Sequence, residues 1–439
     1  MDNSIGGNSS WLLMSYFLYK VKEEEDLLKR RIQSKMDKQA AAPEGDSGSN
    51  TNNSIVHGDI LEAILSQVPL IDLASACYVS RSWNRAVFSS LRRVNKIKPW
   101  LLLHTQSQRT MAPYLTTAHA YDARSHVWIE IKNNQPSSFD FLLRSSHSTL
   151  LYTLSPSKLS FSFDPLHLAW HHVDAPRVWR TDPVVALVGD KVVVAGGACD
   201  FEDDPLAVEM YSVDTRTWEI CQSMPAVLKD SAASTWLSVA VNSRQLYVTE
   251  KYSGVTVSFD PSTKGWSGQF HLRQFDHDEK VFYSAITFAN DRLIAVGLTR
   301  EAEDVKSLKI WQVNIKGGSL EELKEIGEMP KALLEKLKGN KEICSGSGSA
   351  SLTSVGVTSM GDSVYLHNPS NSEDLVLCEI GECGDDECKW SEIKNVVVDE
   401  EDAKIKGRLI LTCSSVGIGD LQRALLHENP RSVYFKQIQ

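Results

Sequence analysis

Cys378, Cys383 and Cys388 stand at C-x4-C-x4-C, and their type and spacing come closer to a metal site than any other residues of the chain. Structural zinc usually uses closer pairs such as C-x2-C. The other cysteines (Cys77, Cys199, Cys221, Cys344 and Cys413) are scattered and match no small disulfide framework. The expectation is reduced thiols, no metal, and a cytoplasmic or nuclear location. "VVVAGG" (192–197) raises a second chemistry, phosphate binding. A dinucleotide site would need G-x-G-x-x-G opening a helix, and a P-loop would need Gly-Lys-Ser/Thr to come next. The chain instead continues as "ACDFEDDPLAVEMYSV", whose acidic start would repel phosphate. His171 and His172 have no evident catalytic partner, and there is no G-x-S-x-G and no H-E-x-x-H. "EEED" (23–26) and "DEED" (399–402) read as solvated charge runs. The chain is therefore expected to carry no catalytic residue and no cofactor, although an active site assembled from distant segments stays open.

If the chemistry is not here, the elements must serve binding. The chain has 439 residues, 42% of them hydrophobic, which is enough for a sizeable core. Lys and Arg total 46 against 56 Asp and Glu, a formal charge of −10. That balance argues against nucleic acid and against an anionic membrane surface. "WLLMSYFLY" (11–19) falls well short of the about 20 apolar residues of a spanning helix. The start "MDNSIGGNSS" has Asp2 and no base, unlike an export signal. Residues 37–54 are polar and of low complexity, so 1–54 is expected to be a disordered tail with room for one short helix over 11–33.

Residues 55–95 read as a small all-α module. Ile60, Leu61, Ile64, Leu65 and Val68 fall on one broad helical face, with Asp59 as N-cap and Glu62 three residues on. Pro69 ends that helix. A second helix has Asp72 as cap and Leu73, Ala76 and Cys77 on one side. A third has Ser80 as cap and stacks Trp83, Val87 and Leu91. Such a module buries too little to stand alone. Either another protein covers it, or it is a lid on the domain C-terminal to it.

The stretch "DILEAILSQVPLIDLASACYVSRSWNRAV" (59–87) resembles the F-box, with Ile64-Leu65, Val68-Pro69, Asp72-Leu73, Val79-Ser80 and Trp83 in register. Val56-His57 stands where the family has Leu-Pro. The resemblance implies binding to the Skp adaptor subunit of cullin-RING ubiquitin ligases. It implies adaptor contacts at Ile60, Leu61, Leu65, Val68, Pro69, Leu73 and Val79, some of which must hold the module's own core, with Trp83 as a core residue.

The remainder repeats. "YDARSHVW" (121–128), "FDPLHLAW" (163–170), "YSVDTRTW" (211–218) and "FDPSTKGW" (259–266) bring a Trp at steps of 42, 48 and 48 residues. Between them lie hairpins, clearest at "VVALVGDKVVVAGG" (184–197) and repeated at 237–250, 285–297 and 355–367. Such a period, with four strands per unit, predicts a β-propeller. The units fall at 99–131, 147–174, 182–221, 235–272, 282–325 and 352–394, six blades spanning 99–425. Blade 1 lacks an inner strand before "PWLLLH", and "GRLILTCSSV" (407–416), read as the end of the chain, is expected to supply it and close the ring. The strand–Gly-Gly–Tyr–Trp order resembles kelch repeats. The fold class is thus mainly β: a six-bladed kelch-type propeller behind a small all-α F-box.

Loops after second and fourth strands leave on one rim and are the long ones, and recognition tends to lie on such loops. Binding hot spots favour Trp, Tyr and Arg. The candidate substrate-binding residues on that rim are Arg177, Trp179, Arg180, Phe201, Trp236, Lys251, Tyr252, Tyr283 and Arg300. As a whole the chain resembles plant F-box/kelch-repeat proteins over 55–425. Within them it resembles the group directed at phenylpropanoid and flavonoid enzymes, chalcone synthase in particular, on "SSHSTLLYTLSP", "APRVW" and "STWLSVAV". That resemblance implies a non-catalytic adaptor that holds a target protein for ubiquitination.

Overall fold

The computed structural model describes residues 58–438 apart from 108–112, 134–136, 165, 167–168, 199–203, 274–280, 302–303, 340–351, 382–387, 398–407 and 426–432. The expected tail, Phe201, Cys199, Cys344 and Cys383 lie outside the described residues.

Helices α1 (Asp59–Ser66), α2 (Leu70–Ala76) and α3 (Arg81–Arg93) come first. Ser80 caps α3 as expected, its hydroxyl accepting from the Trp83 N–H at 3.2 Å. The other two caps differ from expectation. Gly58, at φ 68°, precedes α1, and Pro69 precedes α2, which starts two residues ahead of Asp72. Proline fixes its own φ and cannot donate, so it ends one helix and opens the next without loss. Asp72 then lies in the first turn, where its charge favours the helix dipole.

The propeller has six sheets. Blade 1 holds β1 (Trp100–Gln106), β2 (Tyr114–Asp122) and β3 (Val127–Asn133), with β4 (Ser137–Phe139) paired to β2. Blade 2 holds β5 (Leu151–Leu154), β6 (Lys158–Ser162) and β7 (His171–Asp174). Its inner position is taken by a single bridge, Arg144 to Tyr152, so this blade has three strands and not the expected four. Blade 3 holds β8 (Val184–Val188), β9 (Lys191–Ala195), β10 (Val208–Ser212) and β11 (Thr217–Ile220). Blade 4 holds β12 (Leu237–Val241), β13 (Leu246–Glu250), β14 (Val255–Asp260) and β15 (Gly265–His271). Blade 5 holds β16 (Val281–Ala289), β17 (Arg292–Glu301), β18 (Asp304–Lys316) and β19 (Ser319–Glu328). Helix α4 (Lys331–Lys338) comes after it, inside a stretch read from sequence as loop. Blade 6 holds β20 (Gly356–Met360), β21 (Ser363–Asn368), β22 (Asn371–Ile380) and β23 (Cys388–Lys394).

The chain then returns to blade 1. Strand β24 (Arg408–Ser414) pairs antiparallel with β1, from Trp100 opposite Ser414 to Gln106 opposite Arg408. It does not end the fold. Helix α5 (Ile418–Leu425) and strand β25 (Val433–Ile438) come next, and β25 pairs with β3 on the outer edge. Blade 1 therefore runs β24-β1-β2-β3-β25, built from both ends of the propeller sequence.

The repeated tryptophans have a physical reason. Tyr121 stands opposite Trp128, Tyr211 opposite Trp218 and Phe259 opposite Trp266, with ring centroids 5.1–5.4 Å apart. Cross-strand aromatic pairs of this kind stabilise a sheet. Two residues before each Trp the backbone turns through positive φ, at His126, Arg216 and Lys264. Each indole N–H then donates to a carbonyl at the end of the preceding blade: Trp128 to Lys394, Trp218 to Asp174, Trp266 to Gln222. The motif pins one blade to the next, and Trp128 does so across the seam between blades 6 and 1.

Candidate functional site

Two surfaces matter, one on the helices and one on the long-loop rim. Leu61, Leu65, Leu70, Leu73, Ala74, Val87 and Leu91 form a common core with Trp100, Leu102, Ile129 and Ile131 of blade 1 and with Val416, Ile418 and Leu421 at and before α5. The helices thus sit on the propeller, at the rim of its short turns. Arg124, in the turn between β2 and β3, fastens them. Its guanidinium donates to the carbonyls of Val68 (2.7 Å), Ser66 (2.9 Å) and Asn95 (3.2 Å). These include the carbonyls that the end of α1 leaves without intrahelical partners. Asn95 adds a bond from its own side chain to Ser66 at 3.1 Å.

This packing corrects part of the expected adaptor face. Leu61, Leu65 and Leu73 are core and cannot meet a partner while the module is folded. Val68 and Pro69 are half-buried. Ile60 and Val79 are 67% and 61% exposed, and Ile64, which sequence reasoning left out, is 50% exposed. A sequence shows one apolar face on α1; only the docking on blade 1 divides it into Leu61 and Leu65 inside and Ile60 and Ile64 outside. Trp83 is half-buried against the common core, as expected.

On the opposite rim the axis of the propeller opens into a cavity of about 510 Å³. Trp236, Lys251, Tyr252 and Tyr283 line it together. Trp236 and Tyr252 meet at 5.9 Å between ring centroids, and Tyr283 stands edge-on to Tyr252 at 5.7 Å. Tyr283 is otherwise buried and donates its hydroxyl to the Val355 carbonyl at 3.0 Å. The Lys251 ammonium donates to the Thr235 carbonyl at 2.8 Å, and burial pushes its pKa down to about 8. Two residues unnoticed in the sequence belong here. Arg408, the first residue of β24, lines the cavity, and Arg144 sits close enough to repel it.

The remaining rim candidates divide. Arg180 is buried at 1% exposure and cannot touch a partner. It donates to the carbonyls of Gly196 and Ala207, both at 2.7 Å, and pairs with Glu209 at 3.1 Å. Glu209 also accepts from the backbone N–H groups of Arg177 and Val178, so the pair fixes the loop that displays Arg177 and Trp179. Arg177 is exposed and Trp179 is 38% exposed. Arg300 is exposed with its guanidinium 4.1 Å over the Phe282 ring, away from the cavity. The Gly196-Gly197 pair serves close approach, not phosphate. A Cβ on Gly197 would meet Asp182 at 2.4 Å, and one on Gly196 would meet the Ala232 carbonyl at 2.1 Å. Cys378 and Cys388 lie on neighbouring strands and form no disulfide, and no cluster suited to a metal occurs among the described residues.

Residues 58–95 match the F-box domain family. F-box/kelch-repeat protein At1g23390 of Arabidopsis thaliana is 45% identical over 378 residues, covering 84% of this chain and 92% of that protein. Among solved structures, a chain of the nidogen/laminin complex aligns over 72% of this chain and 98% of its own. Its TM-score of 0.37 and 11% identity carry no argument. The helical module, the six blades behind it and the identity across nearly the whole Arabidopsis relative have one reading: this chain belongs to the F-box/kelch-repeat proteins.

Proposed function

We propose that this chain is the substrate-recognition subunit of a Skp–cullin–F-box ubiquitin ligase and is itself not catalytic. The observation that carries the reading is the placement of Ile60, Ile64 and Val79. Ile60 and Ile64 on α1, and Val79 between α2 and α3, face outward from a module whose Leu61, Leu65, Leu70 and Leu73 are committed to the common core with blade 1. A soluble surface keeps such groups apart unless a partner covers them. The Skp adaptor is the partner this family implies. The propeller then holds a target on its far rim, and transfer gains from effective concentration around the target's lysines.

For the target we propose a flavonoid-pathway enzyme, chalcone synthase first. The support is the family resemblance of "SSHSTLLYTLSP", "APRVW" and "STWLSVAV", and parts of the first and third of these line the far-rim cavity. A second reading, a scaffold whose helices only cap the propeller, is favoured by the common core with blade 1. It leaves the outward apolar residues unexplained.

Co-purification with the Skp adaptor decides between them. The wild-type chain should form a stable complex, and Ile64→Lys should weaken it by an order of magnitude or more at unchanged melting temperature. A stable chain that binds no adaptor would favour the scaffold.

A further inference from the structure

Blade 2 has no inner strand, and the chain that takes its place bonds elsewhere. After the Arg144–Tyr152 bridge partner Arg144, residues Ser145–Thr149 run as irregular backbone. Their bonds go to three other blades. The Ser146 hydroxyl accepts from the Val185 N–H of β8 at 3.0 Å, and His147 Nε2 accepts from the Leu187 N–H at 3.4 Å. The Ser148 hydroxyl accepts from the Ser359 N–H of β20 at 2.8 Å, and the Ser148 carbonyl accepts from the Cys413 N–H of β24 at 2.6 Å. Strands β8, β20 and β24 are the innermost of blades 3, 6 and 1. Every second N–H of an innermost strand points toward the axis, where the ladder offers no partner. This segment supplies the partner for four of them.

Elsewhere round the axis, neighbouring inner strands bond to each other directly. Ser238 of β12 accepts from the Ile286 N–H of β16 at 2.9 Å, and Ser359 of β20 donates its hydroxyl to the Phe288 carbonyl of β16 at 2.7 Å. Ser145–Thr149 continues that belt, from blade 6 through blade 1 to blade 3. It also divides the axis. Ser145, Ser146 and His147 line the far-rim cavity. His147, Ser148 and Thr149 line a second cavity of about 500 Å³, among the short turns at Gly189, Asn290 and Gly361. A ladder strand shares a row of bonds with one neighbour and yields only with its sheet. A short irregular segment held mainly by side-chain acceptors opens at lower cost than the strands around it.

We propose that Ser145–Thr149 is a strap across the propeller axis, which closes the ring a second time from within and opens as one unit. Closed, it is the floor of the far-rim cavity and keeps the two cavities apart. Open, it joins them into a passage and releases the amides of Val185, Leu187, Ser359 and Cys413 together, although these lie on three blades. The device needs neither an adaptor nor a bound target.

Hydrogen exchange of the full-length chain, resolved to single amides by fragmentation in the mass spectrometer, tests this. Ser148→Ala removes the acceptor of the Ser359 N–H and leaves those of Val185 and Leu187 in place. A strap that opens as a unit should nevertheless speed exchange at Val185 and Leu187 as well as at Ser359 and Cys413, by about fivefold to tenfold. Strand β10 and the helices at 59–93 should be unchanged. Ser146→Ala removes the acceptor of Val185 alone and should speed Ser359 and Cys413 to the same degree. If one variant does not fold, the other carries the comparison. Faster exchange only at the amide that lost its acceptor would overturn the proposal, because the bonds would then be independent. So would no change in either variant. Loss of protection in every blade of both variants would overturn it too, since the segment would then belong to the common core and not open by itself. None of these readouts involves the Skp adaptor, so the ligase reading and the strap can fail separately.

Discussion

Arg180 and Lys251 were equivalent in the sequence, each a cation on a loop of the same rim, and the structure gives them opposite parts. Arg180 is enclosed with Glu209 and two backbone carbonyls, so it builds the loop. Removing one member of a buried pair leaves the other charge without its counter-ion, which costs about 3–5 kcal/mol. Arg180→Met should therefore lower chemical-denaturation stability by about that amount, and Glu209→Gln by somewhat less because the amide oxygen still accepts. A surface contact would show no such loss, so urea titration of the two variants separates the roles. Lys251 keeps its ammonium at the cavity, and burial lowers its pKa against the opposing pull of Asp182 and Glu250. The sequence identified rim loops and favoured residue types. Only coordinates tell whether an arginine turns inward to a distant glutamate or outward to solvent.

At the level of elements, the helices depend on the turn between β2 and β3. Arg124→Ala would strip the carbonyls of Ser66 and Val68 of a charged donor at the end of α1. Hydrogen bonds to charged groups contribute about 1.5–3 kcal/mol, so a loss of about 3 kcal/mol is expected. It should appear as faster hydrogen exchange in 59–95 with the blades unchanged. Loss of protection in all blades together would instead mean that the helices and ring unfold as one unit. The elements themselves were largely legible. Hairpins at Gly189-Asp190, Asn290-Asp291 and Gly361-Asp362 are marked by residues that tolerate positive φ, and the aromatic–Trp spacing marked the blade period. The three-stranded second blade was not legible. Its inner position is a single bridge at Arg144, too short to leave a periodic pattern. Strand β25 was missed as well, because "VYFKQI" gains its place only from β3, at the other end of the propeller sequence.

For the molecule as a whole, two imidazoles on the channel set a response to acid. Burial pushes His147 and His367 down to about 4. Their ordinary value is about 6.5, so the folded state binds fewer protons than the unfolded chain between those limits. Their contribution is complete above about pH 6.5 and is lost as the pH falls toward 4. Both side chains line the open channel, which screens part of the effect, so about 1–2 kcal/mol each is expected between pH 7 and 5. Urea melts at the two pH values should show that slope, and it should flatten in His147→Gln and His367→Gln. An unchanged slope in both variants would assign acid sensitivity to the carboxylates.

The interleaving of β24, α5 and β25 with the first blade also bears on synthesis. The helices at 59–93 leave the ribosome well before the blades, but their floor includes Val416, Ile418 and Leu421, which are made after all six. A nascent or truncated chain therefore has no finished surface on which to dock them. Synthesis must pass Leu421 before the module can take its folded position, so a chain interrupted between the helices and α5 lacks part of the surface that holds them. The topology makes completeness of the chain a condition of assembly.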